Sequence, residues 1–194
     1  MAKWKASLII CFSYAFLIWP LGNNLAHAAD IWVKGSDIYL KGQIKWEDYD
    51  RLKRIISGYS RTNRVVIVNS PGGSLYGGIY MGRLIRENGL ETHLIGDCSS
   101  ACNHIFAGGF FRSMKHDARL GLHIGGQRYD STFYTTDEMY TVQQKAAEVM
   151  IDRVYHYLSM GISVDVLALM ATKDINGIRW MYKSKAKKLN FVNK

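Results

Sequence analysis

Residues 65–68, Val-Val-Ile-Val, run directly into Asn69-Ser70-Pro71-Gly72-Gly73, and this junction limits the folds open to the chain more than any other stretch. A β-branched apolar run of that length is a buried strand. Pro-Gly-Gly must end it, because proline offers no N–H to a ladder and glycine turns freely. The paired glycines also bring bare N–H groups close to whatever lies opposite, with no Cβ between. Further on, residues 94–96 close a second strand, and Asp97-Cys98-Ser99-Ser100-Ala101-Cys102 is expected to open a helix. That places a small hydroxyl at a positive helix end. A third strand over 119–122 then delivers His123. A glycine loop, a serine at a strand-to-helix turn and a histidine at a strand end are the parts that acyl transfer requires.

The order and spacing of these residues resemble the proteolytic subunit of the Clp protease and the wider ClpP/crotonase superfamily, most clearly its extracytoplasmic members. In that family a strand leads into Ser-Pro-Gly-Gly, here Ser70 to Gly73, and the nucleophile lies in a turn of small residues, here Ser99-Ser100-Ala101-Cys102. The resemblance implies an α/β fold, a ClpP/crotonase-like spiral of ββα units in a single domain. It implies Ser100 as nucleophile, His123 as base, and the N–H groups of Gly73 and Ala101 as the oxyanion hole. Ser99 is the neighbouring alternative to Ser100, and His104, four residues beyond Ser100, is a rival base. The match is strong over 64–123 and weaker from 38 to the C-terminus. A third residue should orient the imidazole. Asp174 lies in the expected C-terminal stretch, although Lys173-Asp174-Ile175-Asn176-Gly177 departs from the family's acid-containing turn. Asn176 and Asp165 are alternatives, and with none in reach a Ser-His dyad or an inactive descendant remains.

A targeting segment comes first. Lys3 and Lys5 precede an apolar run over 6–19, and Ala26-His27-Ala28 has the small-x-small form that a signal peptidase cuts after. The expectation is a signal peptide over 1–28, a domain over 29–194, and export to the periplasm, with an uncleaved membrane anchor as the alternative. Cys98 and Cys102 are then the only mature cysteines, in a compartment where disulfides persist. A small disulfide around Ser100 is expected. Zinc at Cys98, Cys102 and His104 is the rival, although C-x3-C-x-H departs from the usual two-cysteine hooks.

Elsewhere the chain reads as one globular domain, with 194 residues, 48% hydrophobic and 21% charged. Short strands are expected over 31–33 and 38–40, an amphipathic helix over 46–59, and a second helix after Gly73 ending at Asn88-Gly89. The longest helical pattern spans 137–160, with Val142, Ala146, Val149, Met150, Val154 and Leu158 on one face. A helix over 164–171, capped by Ser163, a strand over 178–182 and a last turn capped by Ser184 complete the pattern. Residues 127–132 read as an exposed loop. The formal charge is +9, or +7 once 1–28 is removed. Its basic residues are scattered, and Lys183, Lys185, Lys187 and Lys188 read as a solvated helix face, so no nucleic-acid partner is expected. No cofactor is expected, and no ATPase partner. The function expected is an exported, ATP-independent serine peptidase on peptides or unfolded protein, and the resemblance implies a homo-oligomer. A catalytically inactive peptide-binding module is the alternative. A Ser-Lys signal-peptide-peptidase mechanism is disfavoured by His123, and a crotonase-type acyl-CoA enzyme by export.

Overall fold

The computed structural model describes residues 28–59, 62–124, 135–171 and 177–194. It opens with a hairpin of β1 (Asp30–Lys34) and β2 (Asp37–Lys41) around Gly35, whose φ of +64° is the left-handed turn glycine permits. Alternation sorts the hairpin side chains: Ile31, Ile38 and Leu40 are buried, while Trp32 and Tyr39 stack on the opposite face with centroids 5.3 Å apart. Next come α1 (Asp48–Gly58), β3 (Arg64–Asn69), α2 (Leu75–Glu87) and β4 (Glu91–Leu94). The alternation of strand and helix makes the pairing parallel from β2 onward. Five strands form one sheet in the order β1-β2-β3-β4-β6, with β6 spanning Arg112–Met114. Val65, Ile67 and Leu94 point from it into a fully buried core shared with Leu52, Met81 and Ile85 of the two helices. Each such side chain contributes about 1.5–3 kcal/mol by leaving water.

A second, smaller sheet holds the chemically interesting residues. It runs β5-β7-β8, from Asp97–Ser99, Arg119–Leu122 and Arg179–Met181. The two sheets meet where Ser70, just past β3, bridges Cys98. Helix α3 (Cys102–Ala107) follows β5, the long α4 (Thr136–Ser159) packs its C-terminal half on α3, and α5 (Asp165–Ala171) and α6 (Lys183–Lys188) close the domain. This is the expected α/β single-domain ClpP-like architecture. Among the described residues no helix is long and apolar enough to cross a membrane.

Several local expectations change. Residues 97–99 form a strand and not a helix start, because their backbone pairs with β7 and the Asp97 carboxylate takes a two-pronged bond from Arg119 at 2.9 and 2.5 Å. Helix α3 therefore starts two residues beyond Ser100. Strand β6 had no periodicity to announce it; at three residues it is held by β4 on one side. The apolar stripe of α4 is not its core face. Leu158 and Ala146 are exposed, and Arg153, His156, Tyr157 and Met160 face the domain instead. Ser184 lies inside α6, whose N-cap is Tyr182 and lacks a side-chain cap. Ser163 does hold the start of α5, accepting from the Asp165 N–H at 3.2 Å. All but the last residue of the signal peptide expected over 1–28, the 127–132 loop, Asp174 and Asn176 lie outside the described residues.

Candidate active site

Strand β3 leaves its sheet at Asn69 and is caught on both flanks. Ser70 exchanges backbone bonds with Asp97 and Ser99 on one side, while its hydroxyl donates to the Gly42 carbonyl at 2.7 Å on the other. The chain then turns through Gly72 (φ +90°) and Gly73 (φ +140°), a conformation that only glycine adopts without strain. A methyl on Gly73 would run into the Ile44 carbonyl oxygen, and one on Gly72 would meet the Ser100 Cβ at 2.6 Å and the Ala101 nitrogen at 2.9 Å. Glycine here is thus a matter of close approach as well as of φ.

The same loop sorts its N–H groups. Gly72 donates to the Ser70 hydroxyl at 3.2 Å, and Ser74 donates to the Ile44 carbonyl at 2.9 Å. The parallel bridge between Ile44 and Gly73 uses Gly72 O and Ser74 N, so the N–H of Gly73 itself points away from Ile44, to the other side of the loop. Among the described residues neither Gly73 N–H nor Ala101 N–H donates to a partner.

Ser100 occupies the turn between β5 and α3 with φ +56°, one of two non-glycine residues with positive φ among those described. A serine in the left-handed region costs of order 1 kcal/mol or more, and such strain concentrates where a side chain must be re-aimed. Ser99, the neighbouring alternative, is buried where Ser100 is part-exposed. It is 5% exposed, and its Cβ packs on Gly121, with Trp180 and Ile178 around the same spot. Ser100 N–H donates to the Gly121 carbonyl at 3.0 Å, which sets Ser100 abreast of Leu122. His123 is the next residue, so the Ser100 turn and the imidazole sit at neighbouring ends of two strands about 4.8 Å apart. Among the described residues no hydrogen bond joins Ser100 Oγ to His123 Nδ1.

His123 is half-buried, and burial lowers its pKa below the ordinary value, helped by the charge of Arg153. At neutral pH it is therefore the neutral, proton-accepting imidazole. Its Nδ1 is buried and finds no partner among the described residues. Antiparallel pairing of β7 with β8 (Leu122 with Arg179) continues to put Ile178, which is apolar, opposite His123. Asp165, one alternative orienting group, bonds instead with Ser163 Oγ at 3.1 Å. Arg153 was not anticipated from the sequence. It is 8% exposed and its Nη1 donates to the Ile124 carbonyl, so a cation stands beside the strand end where an acid was expected.

The remaining expectations resolve by packing. His104 is not poised over Ser100, because Ser100 precedes the helix and the four-residue helical spacing does not apply. The ring is buried between α3 and α4, stacked on Tyr157 at 4.7 Å. Asn103 donates from Nδ2 to the Gly121 carbonyl at 2.7 Å, tying α3 to β7. Cys98 and Cys102 form a disulfide with Cα atoms 5.4 Å apart, which brackets Ser100 and removes both sulfurs from metal binding. Among the described residues no cluster of three metal-ligating side chains occurs.

No protein-family model and no curated protein matches the chain. Among solved structures it is similar to a mutant of ClpP1 from Listeria monocytogenes, with a TM-score of 0.60 and 17% sequence identity. That match covers 81% of this chain and 89% of the other. At this identity the likeness speaks to the fold, and the fold of this chain is that of ClpP.

Proposed function

We propose that the protein is an exported serine hydrolase, a peptidase that works through an acyl-enzyme without ATP. The observation that carries this reading is Ser100 at φ +56° in a strand-to-helix turn, beside two N–H groups that have no partner among the described residues. A nucleophile on a sharp turn of this kind presents its oxygen to substrate while the following residue's N–H faces the developing oxyanion. In the proposed reaction Ser100 Oγ attacks the carbonyl and His123 takes its proton. The N–H groups of Gly73 and Ala101 hold the oxyanion, and His123 returns the proton to the leaving amine. Water then repeats the sequence to release the acid. Asp174 is the proposed orienting group for His123. The proposed substrates are peptides or unfolded protein. Ala26-His27-Ala28 and the disulfide support cleavage of 1–28 and a periplasmic location. Ile151, Tyr155 and Leu158, left exposed on α4, support a homo-oligomer.

A fluorophosphonate probe tests the chemistry. Wild-type protein should be labelled covalently, with the Ser100→Ala variant unlabelled and His123→Ala slowed by 100-fold or more, on the order expected for loss of a general base. Equal labelling of wild type and Ser100→Ala removes the reading. One observation favours a second: His123 Nδ1, which has no partner among the described residues, and the nearby Arg153 suit a peptide-binding module that has lost catalysis. Peptide binding retained in Ser100→Ala, without turnover by wild type, selects that module.

A further inference from the structure

The carboxylate of Asp48 has 0% exposure although it opens a surface helix. An aspartate in a first helical turn is ordinarily wet, favoured there by the helix dipole alone. This one turns inward and collects donors. Its Oδ2 accepts from Ala29 N–H at 3.1 Å and from Lys45 N–H at 2.8 Å, and its Oδ1 accepts from Arg51 Nη1 at 2.9 Å. Arg51 Nη1 also donates to the Ala29 carbonyl at 2.7 Å, so Ala29 is held at both its polar backbone atoms. Ala29 is fully buried, whereas Ala28, one residue earlier, is exposed. The exposed-to-buried step falls at the bond that follows Ala26-His27-Ala28.

Asp48 is also two bonds from the glycine loop. Lys45, whose N–H it accepts, follows Ile44, which donates to Gly72 O at 2.8 Å and accepts from Ser74 N–H at 2.9 Å. Whatever strengthens the hold of Asp48 on Ala29 and Lys45 therefore stiffens the segment around Ile44 that fixes Gly72 and Gly73.

We propose that hydrolysis after Ala28 turns the Ala29 amide into an ammonium that pairs with buried Asp48, and that this ion pair locks residues 42–46 against the glycine loop. Water adds across the Ala28–Ala29 amide under a signal peptidase. The carboxylate leaves with Ala28, and the new amine on Ala29 is protonated at neutral pH. A neutral N–H···carboxylate bond thereby becomes a charge-assisted one between groups already in contact. Loss of the exposed Ala28 leaves the ammonium's other hydrogens open to water, so it brings no orphaned donor. Export would in this way be coupled to completion of the site. The inference rests on the export reading above and deepens it into regulation of the same loop.

The experiment compares two chains, one beginning at Ala29, released from a fusion cut immediately before it, and one beginning at His27. The Ala29 chain should melt about 4 °C or more higher, a shift of the size one strengthened buried bond produces in a domain this long. Its Ile44 and Ser74 amides should exchange with deuterium at least several-fold more slowly. Both differences should vanish in Asp48→Asn. If that variant does not fold, acetylating the α-amine of the Ala29 chain supplies the comparison with Asp48 intact, and should return it to the His27 chain's behaviour. Equal melting and equal exchange in the two chains overturn the proposal. Neither readout depends on Ser100, so fluorophosphonate labelling that persists in that event leaves the hydrolase standing. Conversely, a melting and exchange difference without labelling keeps the ion pair and removes the hydrolase.

Discussion

His123 owes its readiness to two unequal influences, and the smaller one is testable. Burial is the first cause of its lowered pKa and the Arg153 charge the second. Labelling of Ser100 needs the neutral imidazole, so the rate should be flat above neutrality and fall only as pH drops below the ordinary histidine value. Replacing Arg153 by Gln removes a repulsive cation, which raises the His123 pKa and moves that fall to higher pH by a few tenths of a unit. A pH profile of labelling checks it, and an unmoved midpoint would mean that Arg153 does not act on His123. The glycine loop and the strand end that carries His123 were legible because each sits in a short local motif. Arg153 was not, since only the folding of α4 back onto the domain brings a residue 30 positions along the chain to the carbonyl of Ile124, just past β7.

Helix α4 is attached to α3 through aromatic and imidazole rings and not through the apolar stripe its sequence displays. His156 is fully buried, its Nε2 bonds the His104 carbonyl at 3.0 Å, and its ring meets that of His104 edge-on at 5.2 Å. Burial lowers both pKa values, that of His156 to about 4 and that of His104 well below the ordinary value. With folded pKa values depressed, the unfolded chain binds protons first as pH falls. The stability these rings contribute is thus complete above about 6.5 and drains away toward pH 4. For His156 the loss is roughly 3 kcal/mol. Urea unfolding at pH 7 and pH 4.5 should show the decline, and His156→Gln, which does not titrate, should flatten it. An equal decline in the variant would place the acid sensitivity elsewhere. Hydrophobic periodicity misjudged this helix because an exposed apolar face and a buried polar one invert the usual pattern; its extent was legible all the same, while the capping box of Thr135 and Glu138 was not singled out.

Across the whole molecule, the C-terminal tail is what closes the larger sheet. Arg112 on edge strand β6 is 1% exposed and pairs with no carboxylate among the described residues. Its guanidinium donates to the carbonyls of Phe191 at 3.0 Å, Asn190 at 2.8 Å and Gly109 at 2.9 Å, while Asn193 Oδ1 takes the Arg112 N–H at 2.7 Å. Burial lowers the Arg112 pKa to about 10, so it stays charged at neutral pH. A lysine cannot span three carbonyls from one planar fork. Arg112→Lys should therefore cost about 2 kcal/mol or more in chemical denaturation, and a loss under about 0.5 kcal/mol would show that the tail is held by Phe191 and Val192 alone. The order of strands and helices in the central third was readable from the β-branched run and its glycines. The division into two sheets was not, because Asp97–Ser99 is too short to carry a pattern and exists through its pairing with β7. Both sheets converge on one spot, where Ser100 meets the loop of Gly72 and Gly73, and the central claim concerns that spot. A crystal structure of the phosphonylated protein tests it most directly. The account predicts phosphorus bonded to Ser100 Oγ and a phosphonyl oxygen 2.7–3.1 Å from the nitrogens of both Gly73 and Ala101. Phosphorus on any other residue, or an oxygen turned to solvent away from those two N–H groups, would contradict it.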